Sequence, residues 1–255
     1  MANAALEPKH LDREWLARHL ADERRGADLL GEIREAIFGA QDGVTSILIV
    51  VITVATATTN SYAVLVAGIA AATAEIISMA AGEYMSSRSQ RQLFLAQIER
   101  ERAEVRDRPG ESEAEVAYLL EQEGLSEAAA RRIAAEMARE PNVLLKTMVE
   151  KELGITVEAG PGALQGALVL AATFAVASLV PLLPFFFFPV GTAAAVAVAL
   201  SIVSMFALGV VKARFIGANP LRSGLEIVAL VACASAGGYV VGTLLPRALG
   251  FAATG

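Results

Sequence analysis

Residues 36–58 read AIFGAQDGVTSILIVVITVATAT, an apolar run whose one charged side chain is Asp42. A helix of about 20 apolar residues crosses the roughly 30 Å hydrocarbon layer of a bilayer, so this run predicts a membrane span. Four further apolar runs of similar length lie at approximately 62–85, 163–183, 189–211 and 223–245. We therefore expect an all-α fold with a bundle of five transmembrane helices in a lipid bilayer.

A polar segment, the insertion, separates the second span from the third at approximately 91–158. It holds 15 acidic and 10 basic residues and is expected to form soluble helices. Proline and glycine predict its helix boundaries at Pro109-Gly110, at Gly124 with Ser126 as N-cap, at Pro141 and at Gly154. Because no such break precedes Pro109, the second span should continue as one helix of about 45 residues, roughly 70 Å long.

The distribution of basic residues predicts the orientation. Of the 21 Lys and Arg residues, 20 lie in the N-terminal tail, in 86–158 and in the loop 212–222, and only Arg247 lies on the other side. Basic loops favour the cytoplasmic side, so the N-terminus and the insertion should be cytoplasmic, in the plasma membrane if the cell is prokaryotic. The net charge of -6 excludes a basic nucleic-acid footprint.

Four regions follow from these patterns. They are a cytoplasmic amphipathic segment at 1–34, the first two spans at 35–90, the three-helix insertion at 91–158 and the last three spans at 159–255. The amphipathic segment is expected to lie as a helix at the membrane interface.

Polar side chains share one face of each of the first two spans. Projection at 100° per residue groups, in the first span, Asp42, Thr45, Ser46, Thr53, Thr56 and Asn60. The same projection groups, in the second span and its extension, Gly68, Glu75, Ser78, Met79, Gly82, Ser86 and Ser89. Small and hydroxyl residues on such faces serve helix packing equally often. A charge near the bilayer centre costs several kcal/mol unless it is paired, so Asp42 and Glu75 indicate an ion or proton pathway.

The Asp42 carboxylate and the Met79 thioether are a hard and a soft ligand suited to one borderline divalent ion. We expect Fe²⁺ first and Mn²⁺ second, with Co²⁺ and Zn²⁺ as further binders. A desolvated acid holds a proton until a dication displaces it, so exchange of metal for protons is expected. No prosthetic group and no enzyme activity are expected.

The insertion carries acids at helical spacing. They are Glu101 and Glu104, then Glu111, Glu113 and Glu115, and finally Glu150 and Glu152 beside Met148. Acids three or four residues apart repel one another unless a cation bridges them, which favours a metal site. The alternative is a solvated acidic face neutralised by arginines, and taken alone the spacing favours it. The candidate partners are Arg100, Arg102, Arg106 and Arg108.

Four motifs occur in order along the chain, FGAQDG at 38–43, SMAAGEYMS at 78–86, ELG at 152–154 and FIGANPLRSG at 215–224. They resemble the vacuolar iron transporter family, with its nodulin-like relatives, and suggest a member of bacterial type. The resemblance implies a five-span homodimer that exchanges Fe²⁺ or related ions for protons along the dimer interface. It also implies transport-site ligands at Asp42 and Met79.

In the insertion the resemblance implies metal ligands at Glu101, Glu104, Glu115, Glu152 and Met148. Two positions depart from the family pattern. Ser112 stands where a glutamate is expected, so either Glu111 or Glu113 substitutes or that site is weaker. Val149 follows Met148, and the nearby acid is Glu150, which shifts the match by one residue.

The dimer rests mainly on this resemblance. Gly39 and Gly43 add physical support, because small residues on the first span would permit close approach across a two-fold axis.

Two other classes of function also use acidic helices in a membrane protein. A membrane diiron enzyme needs Glu-x-x-His pairs on core helices, whereas both histidines of this chain precede residue 20. A metal-sensing membrane scaffold would use the insertion but leave Asp42, Glu75 and Met79 without a role.

Overall fold

The computed structural model of the protein describes residues 12–154 and 162–248, which form helices and contain no strand. In chain order the helices are α1 Arg13–Ala55, α2 Ser61–Asp107, α3 Pro109–Gln122, α4 Glu127–Ala138, α5 Pro141–Lys151, α6 Ala163–Leu182, α7 Pro184–Phe187, α8 Val190–Ile216 and α9 Pro220–Ala248. The predicted all-α class is confirmed for this part of the chain. Parts of three predicted regions, residues 1–11, 155–161 and 249–255, lie outside the described residues.

Five of these helices, α1, α2, α6, α8 and α9, are long and apolar enough to cross a membrane. Each contains one of the five predicted runs, apart from differences of one to three residues at the helix ends. The prediction of five spans is confirmed. The second is a single helix of 47 residues, close to the length expected from the missing break before Pro109.

The first helix differs from the sequence prediction at its beginning. Asp12 is its N-cap and accepts a hydrogen bond from the Trp15 backbone N–H at 2.6 Å. From Arg13 the helix continues without a break to Ala55. The amphipathic segment expected at 1–34 is therefore, from Arg13 onward, the first part of the helix that contains the first span.

The chain divides into two compact units, Met85–Gly162 and the rest of the protein, here called the insertion unit and the membrane unit. In the membrane unit, α1 packs along α6 and α9, and α8 packs along α9. The core includes Ile47, Leu48, Phe174 and Val231, all buried. Since lipid is as apolar as these side chains, close packing rather than exclusion of water must hold such helices together.

Two glycines bring α1 against α6. A Cβ atom at Gly43 would lie 2.6 Å from the Phe174 carbonyl oxygen, and one at Gly39 would lie 2.6 Å from the Leu170 carbonyl oxygen. Only glycine permits this approach of the two backbones. The prediction that Gly39 and Gly43 face a second copy of the chain is wrong, because α6 of the same chain occupies that position.

Gly43→Val is expected to destabilise the membrane unit by at least about 1–3 kcal/mol, because a backbone carbonyl cannot yield as a flexible side chain does. Thermal unfolding and the monodisperse fraction of detergent-solubilised protein would measure the loss. Gly237→Val is the matched control, since a Cβ at Gly237 meets no atom within 4 Å. Equal behaviour of the two variants would contradict the packing of α1 on α6.

The insertion unit has its own apolar core, formed by the end of α2 with α3, α4 and α5. Its buried members include Val105, Val116, Leu120, Leu144 and Met148. The helix boundaries follow the predicted positions, with Pro109 and Pro141 opening α3 and α5, Ser126 preceding α4, and positive φ at Gly124 and Gly154. The predicted three helices are therefore present.

Candidate functional site

Asp42 lies on α1, at the edge of the helix face that packs into the core of the membrane unit. Its carboxylate is half-buried, and the Ser46 hydroxyl, one turn later, donates to Oδ1 at 3.0 Å. Thr45 instead donates to the Gln41 carbonyl oxygen at 2.8 Å. The predicted pathway-lining hydroxyls are Thr45, Ser46, Thr53 and Ser78. Of the two beside Asp42, Ser46 orients the acid, and Thr45 bonds to the backbone of its own helix.

Met79 lies on the stripe of α2 that faces the membrane unit. Val64 and Ala72 on this stripe are buried, and Met79 packs against the same apolar core while remaining half-buried. Glu75 and Ser78 are exposed on the flank of α2. The predicted common face is thus divided, with the thioether directed to the bundle and Glu75 directed away from the core of its own chain.

The far half of the predicted polar line on α1 serves helix packing and capping. The Thr53 hydroxyl donates to the Gly238 carbonyl oxygen of α9 at 3.0 Å. Asn60 lies beyond the end of α1 and accepts a hydrogen bond from the Tyr62 backbone N–H at 2.9 Å at the start of α2. The predicted continuation of the line to Asn60 is wrong, because α1 ends at Ala55 and helical projection no longer applies there.

Three glutamates converge where α2 meets α3 in the insertion unit. Glu104 comes from α2, and Glu111 and Glu115 are one turn apart on α3. One carboxylate oxygen from each lies within 4.8 Å of the others, close enough for a single ion to contact all three. Ser112, in contrast, is fully buried, and its hydroxyl points back to the Arg108 carbonyl oxygen at 3.5 Å. Glu111 rather than Ser112 therefore completes the group.

Glu101 and Glu152 belong to the same group electrostatically. Burial raises the pKa of Glu101, and Glu152, Glu104 and Glu115 raise it further by charge repulsion. The five acids, Glu101, Glu104, Glu111, Glu115 and Glu152, are here called the carboxylate cluster. They come from α2, α3 and the C-terminal end of α5.

Glu115 reports the same crowding. Burial is the largest cause of its raised pKa, followed by repulsion from Glu104, Glu152 and Glu111, while Arg108 acts in the opposite direction. A cleft of about 390 Å³ lies beside it, lined by Glu111, Glu115, Glu152, Tyr118 and two apolar residues. The cluster therefore opens to a space large enough for a hydrated ion to enter.

Three predicted ligands lie elsewhere. Glu113 lines a different groove, between α3 and α4. Glu150 is exposed and pairs with Lys146 at 3.7 Å. Met148 is fully buried among apolar side chains of the insertion core. Of the insertion residues singled out from the sequence, five glutamates come together, and these three side chains have other surroundings.

Comparison with known protein families gives a match over most of the chain. The model of the VIT family matches residues 33–243, more than three quarters of the chain. This chain belongs to the VIT family. The match includes Asp42, Met79 and every member of the carboxylate cluster, whereas the first part of α1 lies before it.

Several curated proteins are similar to this VIT-family chain over most of its length. Vacuolar iron transporter 1 of Arabidopsis thaliana is 33% identical over 211 residues, covering 82% of this chain and 84% of that protein. Vacuolar iron transporter 1 of Eucalyptus grandis is 31% identical over 241 residues, covering 94% and 97%. The protein of the same name from Tulipa gesneriana is 30% identical over 210 residues, covering 82% and 85%. With its five candidate spans, this member of the family is an integral, multi-pass membrane protein.

One buried acid of the VIT-family match was missed from the sequence. Glu35 on α1 is only 9% exposed, and its Oε1 lies 2.5 Å from Nη2 of Arg34. It stands seven residues, about two turns, before Asp42 and therefore on the same helix face. That spacing was the available signal, but Glu35 directly precedes the apolar run at 36–58 and so lies outside the predicted span.

Proposed function

We propose that this chain moves divalent metal ions, Fe²⁺ first and Mn²⁺ second, out of the cytoplasm in exchange for protons. The observation that carries the proposal is that Asp42 on α1 and Met79 on α2 are both half-buried within the membrane unit. Its three relatives described above are named vacuolar iron transporters, which supports iron as the cargo. Co²⁺ and Zn²⁺ would bind the same donors less selectively.

Proton exchange follows from the chemistry of the acid. In the membrane interior a carboxylate without a cation is unfavourable. Metal binding requires ionised oxygens, so a dication and a proton would exclude each other at the Asp42 carboxylate. The Ser46 hydroxyl, which already donates to Oδ1, would hold the carboxylate in one orientation through both states. The Met79 thioether favours softer ions such as Fe²⁺ over Mg²⁺ and Ca²⁺.

The carboxylate cluster would capture metal before transport. Without a cation its acids repel one another, and a dication relieves that repulsion while using their oxygens as ligands. The proposed ligands are Glu104, Glu111 and Glu115, with Glu101 and Glu152 at the edge. Glu113, Glu150 and Met148 have no part in this version of the site.

A homodimer would complete the membrane part. Glu75 lies well inside the second span and is exposed on the flank of α2. A carboxylate facing lipid at that depth costs several kcal/mol, whereas a second copy packed on α2 would enclose it. Glu75 and Ser78 would then line a pathway between the copies, beside Met79. Crosslinking in membranes between cysteines introduced on this flank would test the arrangement.

The direction of transport follows from the proposed orientation. Basic residues favour a cytoplasmic N-terminus and a cytoplasmic insertion, so captured metal would leave that compartment. In a cell without a vacuole, this means export across the plasma membrane.

Proteoliposomes separate a transporter from a metal-sensing scaffold, the alternative function. Vesicles that contain the purified protein should accumulate Fe²⁺ or Mn²⁺. Their internal pH should rise at the same time, because protons leave as the metal enters. A sensor would bind the metal and move neither ion. Metal accumulation without any pH change would retain transport but contradict proton exchange. No chemical conversion of a substrate is part of this proposal, and the chain is taken to be a carrier rather than an enzyme.

A further inference from the structure

One arginine bridges the two helices that supply the core of the carboxylate cluster. Arg108 lies between the last residue of α2 and the first residue of α3. Its Nη2 is 3.1 Å from Glu104 Oε1, and its Nη1 is 2.7 Å from Glu111 Oε2. A single guanidinium thus contacts two of the three acids that approach one another most closely.

Neighbouring arginines contact acids outside the cluster. Arg102 pairs with Glu99 at 2.6 Å. Arg106 pairs with Asp107 at 2.8 Å. The position of Arg108, rather than the general abundance of arginine in this segment, brings a positive charge to the cluster.

The guanidinium and a metal ion would compete for the same oxygens. A dication held by Glu104, Glu111 and Glu115 needs carboxylate oxygens that Arg108 now contacts, and it would also be repelled by the positive guanidinium. The Arg108 side chain is 56% exposed, so it can turn into solvent without burying an unpaired charge. Exposed ion pairs of this kind are weak, and a divalent ion can displace one.

We propose that Arg108 is a resident counter-ion of the carboxylate cluster, which an incoming divalent ion displaces, and that it thereby sets the affinity of the cluster. This rests on the proposed function, since it assumes that the cluster binds metal. The arginine limits repulsion among the empty acids and keeps the captured ion from being held too tightly. A capture site that passes its metal onward must also release it, so its affinity for the metal has to be moderate.

The test measures Mn²⁺ binding by calorimetry on full-length protein in nanodiscs. An Asp42→Asn, Met79→Leu background removes the proposed membrane ligands, so that binding reports the cluster. Arg108→Gln is expected to lower the Kd for Mn²⁺ about tenfold, equivalent to about 1.4 kcal/mol. Arg108→Met, which retains an apolar side chain without the charge, should also lower the Kd for Mn²⁺. Arg106→Gln removes the same charge two residues away and should change the Kd less than about threefold.

The direction of the change distinguishes this role from a structural one, because damage to the insertion would weaken binding. If folded Arg108→Gln and Arg108→Met bind Mn²⁺ no more tightly than Arg106→Gln, the inference is overturned. The proposed function survives that result provided the parent protein binds Mn²⁺ and loses it when Glu104, Glu111 and Glu115 are replaced together. A parent protein that binds no Mn²⁺ at the cluster overturns both.

Discussion

Asp42→Asn is expected to reduce Fe²⁺ flux into proteoliposomes at least about tenfold. Loss of a residue that merely supports a metal ligand already lowers affinity or activity by about that factor, and loss of the ligand itself should cost no less. The amide keeps the shape of the side chain and can still accept from Ser46, which now donates to Oδ1 at 3.0 Å. It can neither neutralise a dication nor exchange a proton. Flux is divided by the amount of folded, reconstituted protein, so a lower yield of the variant does not lower the measured rate.

Glu226→Gln is the matched control for Asp42→Asn. Glu226 also lies on a membrane helix, but it is exposed and pairs with Arg222 at 3.1 Å near the start of α9. Such a pair contributes at most about 1 kcal/mol, so transport should remain near the wild-type rate. Wild-type flux in folded Asp42→Asn would remove Asp42 from the pathway.

Met79→Leu tests the sulfur separately from the packing. Leucine nearly conserves the volume, which matters because Met79 packs against the core of the membrane unit. Fe²⁺ flux should fall several-fold or more, whereas flux of the harder Mn²⁺ should fall less, because a thioether contributes little to binding hard ions. Met205→Leu, at a buried methionine on α8, is the control for volume and should leave both rates unchanged. Equal losses for Fe²⁺ and Mn²⁺ would contradict a ligand role.

Replacing Glu104, Glu111 and Glu115 together by Gln is the second change with a large expected effect. Metal binding to the insertion should weaken by at least about 100-fold, since the three oxygens that approach within 4.8 Å lose their charge. Transport should slow without stopping, because Asp42 and Met79 remain. Calorimetry in the Asp42→Asn, Met79→Leu background measures the binding, and vesicle flux in the otherwise unchanged chain measures transport.

The control for the triple variant removes three acids of the same unit from outside the cluster. Glu121→Gln, Glu136→Gln and Glu140→Gln change the net charge equally. If both triple variants bind metal alike, the acids act only as a solvated negative surface, which was the alternative that the sequence left open.

Binding to the carboxylate cluster should also depend on pH in a defined sense. Burial and mutual repulsion raise the pKa of Glu101 and of Glu115. Protons therefore compete with metal at higher pH values than they would at an ordinary glutamate. Metal affinity should fall as the pH falls through those raised pKa values. The folding stability of the metal-free protein should change in the opposite direction to metal affinity. Acids with raised pKa values stabilise the folded state at low pH, and this contribution is lost as the pH rises.

Much of the architecture was predictable because it depends on local chemistry. Apolar runs of about 20 residues locate the spans, and Pro109 and Pro141 locate helix starts because proline lacks the N–H that a helix interior requires. Gly124 directly follows the C-cap of α3 with positive φ, as expected, whereas the C-cap of α5 is Glu152 and Gly154, also with positive φ, lies two residues beyond it. The boundary expected near residue 34 is absent, because polarity changes there while the backbone hydrogen bonding of α1 continues from Arg13 to Ala55.

The candidate sites were only partly predictable. Spacing along one helix brought Glu111 and Glu115 to the same face, but it could not distinguish which of Glu111 and Glu113 would meet Glu104 on another helix. The same limit applies to Met148, whose side chain faces the insertion core. It applies also to Thr53, whose hydroxyl is taken by the backbone of α9.

The sequence by itself determined the number of spans, the long second helix, the three helices of the insertion and the family. It also identified Asp42, Met79 and the acids that make metal chemistry plausible. Only the tertiary structure decided that Gly39 and Gly43 face α6, that Glu111 joins Glu104 and Glu115, and that Arg108 bridges Glu104 and Glu111. The physical reason is that periodicity sets the direction of a side chain about its own helix axis, whereas the packing of one helix on another sets what that side chain meets.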